Sequence, residues 1–166
     1  MTLAAASEPS RIIVVVGLDL TNVSAHLIHQ TAALVRTVDE PEIHLVHVVK
    51  REPPWLRVVR PADAKDAGAV YRVEHAQDAI ERLCEPLRQI PHARIVMHTP
   101  VGDPAAALAR IADEVAADVL VVEAHAQHGH ARVFHRSLVN QVAGIAPCTV
   151  LAIRAKPSVS TANGVA

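Results

Sequence analysis

Aromatic residues are nearly absent from this chain, which holds one Trp, one Tyr and one Phe in 166 positions. With so few rings to stack on bases, and 16 basic residues set against 17 acidic ones, it offers neither the platform nor the charge of a nucleic-acid-binding surface. Cysteine is scarce too. Cys84 and Cys148 show neither metal-ligand spacing nor a disulfide framework, and free thiols suit a reducing compartment, so a cytoplasmic location is expected. No apolar run approaches the roughly 20 residues that cross a bilayer, and the opening stretch MTLAAASEPSR lacks a basic leader with a long apolar core. Neither membrane insertion nor secretion is expected.

What the chain has in abundance is aliphatic: apolar residues make up 51% of it, chiefly Val, Ile, Leu and Ala. Such a composition suits helices packed on a parallel sheet, and the length suits one domain. One domain is expected over residues 1–154, followed by a polar, aperiodic tail over 155–166 that is expected to be disordered. Eleven histidines stand out, because imidazole titrates close to neutral pH and mild acidification would turn the nearly neutral chain basic.

The periodicity alternates between strands and helices. Arg11 to Leu18 is apolar on both faces and reads as a central strand. Val23, Leu27, Thr31, Leu34 and Val38 then recur at helical spacing, with Thr21 or Asn22 as cap and Asp39-Glu40-Pro41 as the break. Ile43 to Val49 gives a second strand, on which His44 and His47 face opposite ways. A proline-containing loop over 51–63 leads to a long helix from Asp63 to Ile90, kinked or shortened by Pro86. Arg94 to Thr99 alternates like an edge strand. Asp103 and Pro104 specify the start of a helix whose buried stripe is Leu108, Ile111, Ala112 and Val115.

The stretch from Asp118 to Arg154 reads as strand, loop, helix, strand: Val119 to Val122, a polar loop from Glu123 to Arg132, a helical stripe of Phe134, Leu138, Val142 and Ile145, a stop at Pro147, and Thr149 to Ile153. Five strands alternate with four helices, a doubly wound α/β domain with right-handed crossovers.

Ala146-Pro147-Cys148 before the last strand, with Ser137 ten residues earlier, resembles the C-terminal motif of the universal stress protein family. Asp19 after the first strand, the Gly102-Asp103-Pro104 turn and Ala116-Ala117-Asp118 extend the resemblance from about Arg11 to Arg154. It implies a parallel five-stranded sheet in the order 3-2-1-4-5, with helices on both faces. It also implies, by position, a site in which Asp19 meets a ribose, Val48 an adenine, and the loop after Val122 together with Ser137 and Leu138 the phosphates. The nucleotide-binding pattern of that family has glycines that fall here on Glu123, Ala126 and Arg136; Ser137 fits the pattern and Gly129 lies between. Backbone that wraps a phosphate needs glycine, and Glu123 adds negative charge. The expected function is therefore a ligand- or partner-binding module of the stress response without tight ATP binding and without a resident cofactor, the alternative being an ATP- or AMP-binding member or weak nucleotide hydrolase.

No catalytic constellation emerges, because Ser137 lacks both a nucleophile elbow and a carboxylate at triad spacing. Cys148 is expected to be packed rather than reactive. His125, His128 and His130 fit a solvated loop first, with metal uptake or an acid-driven charge switch as the alternatives. His26, His29 and His75 are expected on the surface. Thr149 to Ile153, at the end of the sheet in the implied order, carries few charges to protect its free edge; pairing of two copies through it is expected to form a homodimer.

Overall fold

Arg11–Leu18 forms β1, the middle strand of the sheet in a computed structural model that describes residues 11–20, 24–50, 64–124 and 138–154. Its three consecutive valines are all buried because successive side chains enter opposite faces, Val14 and Val16 joining one core and Val15 the other. The chain then runs through α1 (Ser24–Val35), β2 (Glu40–His47), α2 (Ala64–Leu83), α3 (Glu85–Arg88), β3 (Arg94–His98), α4 (Pro104–Glu114), β4 (Val119–Glu123), α5 (Leu138–Ala143) and β5 (Thr149–Ile153). All pairings are parallel and the order is β3-β2-β1-β4-β5. Parallel neighbours need crossovers, and these split between the faces. α1, α2 and α3 pack on one side through Leu27, Ile28, Ile80, Cys84 and Leu87, while α4 and α5 pack on the other through Leu108, Ile111, Ala112 and Val142. Burying each such Leu, Ile or Val contributes about 1.5–3 kcal/mol.

Several boundaries differ from the sequence expectation. α1 ends at Val35 rather than continuing to Val38, and its buried positions Leu27, Ile28, Thr31, Ala32 and Val35 form a stripe that leaves Leu34 exposed. Pro41 lies inside β2 instead of before it. It is tolerated there because β3 pairing begins only at Glu42, so no ladder donor is lost. The long helix from Asp63 is two: Cys84 separates α2 from α3, and Pro86 sits in the first turn of the second, where a missing N–H costs nothing. Glu123 belongs to β4 rather than to the loop after it. Ile145, expected in a buried stripe, is exposed, since α5 ends at Ala143 and the Gly144 turn carries the next residue outward. Phe134, Thr21, Asn22 and the 51–63 loop lie outside the described residues, as does the 155–166 tail.

The start of α4 follows the expectation closely. Asp103 has extended backbone and accepts the Ala106 amide at 2.9 Å, and Pro104 occupies the first helical position. At the other end Ala116 takes up a positive φ of 51°, while the Ala117 amide reaches back to the Ala112 carbonyl at 2.8 Å. That closure is the six-to-one bond of a Schellman motif, with alanine in the position that usually belongs to glycine.

Candidate functional site

β1 and β4 are neighbours, but the chain leaves β1 through α1 on one face and leaves β4 towards α5 on the other. The two connections diverge, and a crevice of ≈ 1570 Å³ opens beyond the carboxyl ends of the strands. Its floor is the end of β1, where Gly17 fits closely: a Cβ there would stand 3.0 Å from a Leu108 methyl and 3.3 Å from Val122, so those side chains would have to shift. Gly17 thus lets α4 approach the sheet.

The sequence-nominated residues separate into three groups. Asp19, Val48, Glu123 and Leu138 line this crevice together, although they come from four different segments. Val122 does not line it; fully buried, it packs beneath the rim. Ala126, Gly129, Arg136 and Ser137 lie outside the described residues, as do His125, His128 and His130. Among the described residues no cluster of three or more His, Cys, Asp or Glu side chains is arranged to hold a metal.

Asp19 is exposed, and its Oδ1 accepts the Ser24 hydroxyl at 2.9 Å, which ties the end of β1 to the start of α1. The next residue, Leu20, lines the crevice with φ at 60°. Left-handed backbone costs a non-glycine residue about 1–2 kcal/mol, and strain of this kind collects at binding rims. His47 ends β2 with Nδ1 2.9 Å from the Leu18 carbonyl, so that ring nitrogen carries the proton and donates. Glu123 places a buried carboxylate at the end of β4.

Sequence reasoning missed the cations that line the same crevice. Lys50 follows β2, and Arg72 and His75, three apart on α2, present one helical face to the same crevice. Three residues spread over 25 positions of the chain give no local signal. His75 had been expected only as a surface residue; it is exposed, yet it borders the site. The crevice is consequently lined by charges of both signs, with Asp19, Asp103 and Glu123 among its acids and Lys50 and Arg72 among its cations.

Residues 12–154 match the model of the universal stress protein family. The chain belongs to that family. No curated protein sequence matches it. Among solved structures, the universal stress protein UspA from Lactobacillus plantarum is similar with a TM-score of 0.66 at 20% identity, over 89% of this chain and 100% of that one. A universal stress protein in complex with cAMP is similar with a TM-score of 0.60 at 20% identity, covering 86% and 95%. The Arabidopsis thaliana family protein At3g01520, with AMP bound, gives 0.58 at 18% identity, covering 92% and 97%. At these identities the likenesses show the fold.

Within this universal stress protein the two thiols are structural in character. Cys84 is buried with its Sγ donating to the Glu81 carbonyl at 3.0 Å, and burial raises its pKa. Burial followed by the Asp118 charge raises Cys148 likewise, which keeps both in the unreactive thiol form. No helix among the described residues is long and apolar enough to cross a membrane.

Proposed function

We propose that this universal stress protein is a ligand-binding module whose crevice takes up a small molecule without gripping a triphosphate. The observation that carries this reading is Glu123. Its carboxylate is buried at the crevice end of β4, where the nucleotide-binding pattern of the family has a glycine. A carboxylate in low-dielectric surroundings repels phosphate, and its side chain occupies space that a glycine leaves to the phosphate-wrapping backbone. Calorimetry with magnesium ATP tests it: binding weaker than micromolar is expected, and saturable micromolar binding overturns the reading.

A nucleotide with a single phosphate is the second reading, favoured by the cations that line the crevice. Lys50, Arg72 and His75 would receive an anionic group, and relatives of the same fold carry cAMP or AMP in their structures. AMP should then bind more tightly than adenosine, with the difference abolished in Lys50→Gln/Arg72→Gln. Hydrolysis is a distinct outcome, marked by nucleotide turnover that disappears in Asp19→Ala.

Self-association accompanies this function in our reading. β5 is an end strand of the sheet, and Ile145, 54% exposed, adds an apolar side chain just before it. Pairing of two copies through Thr149–Ile153 would occupy those backbone groups.

A further inference from the structure

On the face that carries α4, β2 and β3 hold a polar cluster inside an otherwise aliphatic sheet. Glu42 and His44 are 8% and 5% exposed, and they belong to no part of the crevice. Glu42 receives Arg11 of β1 on Oε2, and Arg94 of β3 at 3.2 Å and His44 Nε2 at 3.1 Å on Oε1. His44 Nδ1 in turn lies 2.9 Å from His98 Nε2 of β3, with the two rings stacked 5.2 Å apart. A carboxylate only accepts, so His44 Nε2 must carry a proton. In neutral His44 the Nδ1 is then bare, and His98 must donate to it from Nε2. The geometry therefore fixes both tautomers.

We propose that Glu42, His44 and His98 form an acid-released latch that fastens edge strand β3 to β2 at neutral pH and frees it when both imidazoles are charged. One added proton is tolerated, because an imidazolium and a neutral imidazole still share a single N–H between Nδ1 and Nε2. The second proton puts an N–H on each side of the 2.9 Å gap, and two cationic rings then face each other. Glu42 offsets a charge on His44, but the groups around His98 do not offset a second one. The charged groups facing the pair are Arg11, Glu42 and Arg94 from the strands and Arg110 and Glu114 from α4. Burial first, then His44, lowers the His98 imidazole below its ordinary value; Arg110 adds to the lowering and Glu114 opposes it.

β3 is the strand best placed to respond. It has five residues and β2 as its one sheet neighbour. Beyond it the chain is pinned to the segment that follows β2 by Val49 N–H to the Pro100 carbonyl at 2.9 Å and Gly102 N–H to the Val49 carbonyl at 3.0 Å. Gly102 and Asp103 line the crevice, so release of β3 loosens its rim.

The test uses hydrogen exchange of the Ile95–His98 amides in the full chain, with intrinsic rates corrected for pH, compared between wild type and His98→Gln. Glutamine can donate to His44 Nδ1 but takes up no proton. Between about pH 7.5 and pH 5, wild-type protection of these amides should fall about tenfold or more while the glutamine variant keeps its protection. Equal loss in both proteins, or no loss in wild type, overturns the latch. Nitrogen NMR of the wild-type rings provides a measurement that does not depend on the variant folding. It should find both neutral rings protonated at Nε2 and titrating in two coupled steps. Two independent titrations, or either ring protonated at Nδ1, would overturn it.

Discussion

Asp103 combines a local duty with a place on the crevice, and its substitution separates the two. In Asp103→Ala the Ala106 amide loses the carboxylate oxygen that accepts it at 2.9 Å. Pro104 has no amide to lose, and the Ala107 amide keeps its backbone partner, the Asp103 carbonyl at 3.0 Å, so one donor is orphaned. Ala106 is exposed and water can reach that donor, which holds the cost near the middle of the range for lost caps, about 1 kcal/mol. Asp103→Asn keeps an acceptor and loses only the favourable charge at the positive end of the helix, about 0.3–1 kcal/mol and screened by salt. Urea denaturation should rank wild type above Asn above Ala, with Ala displaced by about 2–4 °C in a parallel thermal melt. The Asn deficit should shrink in high salt and the Ala deficit should persist. An Ala variant as stable as wild type would refute the capping argument. So would an Asn variant less stable than Ala.

Ala116→Gly should stabilise the protein by about 0.5–1 kcal/mol in the same assay, because glycine adopts the observed φ without strain; no gain would contradict the Schellman assignment. Glu42 governs an acid limb of stability. Burial would raise its carboxyl, but hydrogen bonds from Arg11 and His44 and the Arg94 charge prevail and hold it below the ordinary value. Its contribution is therefore present above the unfolded pKa and lost as pH falls through the lower folded one, and Glu42→Gln should flatten stability below about pH 4.5 relative to wild type. Glu42→Leu should cost more than Glu42→Gln at neutral pH, by about 1–3 kcal/mol, since it leaves the His44 N–H buried without an acceptor. Light scattering should find a dimer at micromolar concentration that Leu151→Lys disrupts without unfolding, and a wild-type monomer would refute pairing through β5.

The strands were legible because each is a run of β-branched and aliphatic residues whose burial needs no partner to be identified. β1 and β5 have the expected ends, Arg11–Leu18 and Thr149–Ile153. The Asp103-Pro104 start of α4 was legible for a related reason: a cap is made within four residues, so sequence and geometry coincide. The strand order was available only through the likeness to universal stress proteins, since no local pattern says which strand lies beside which. Where one side chain decided an outcome by its turn around a helix, sequence was less reliable. Leu34 was placed inside because the expected stripe of α1 was turned away from its true one, and Ile145 because α5 was extended past its true end; both are exposed.

What the tertiary structure decided is long-range. Parallel register brings Arg94 and His98 to the buried Glu42 and His44, although 54 positions separate the two histidines. In sequence they are polar interruptions in apolar strands. The same holds for Lys50, Arg72 and His75, which share a crevice with Asp19 and Glu123 only because β1, β2 and β4 end on one rim and α2 borders it. Apolar periodicity is written along the chain, because each residue reports its own burial. A polar residue reports only that it needs a partner, and that partner is chosen by the fold.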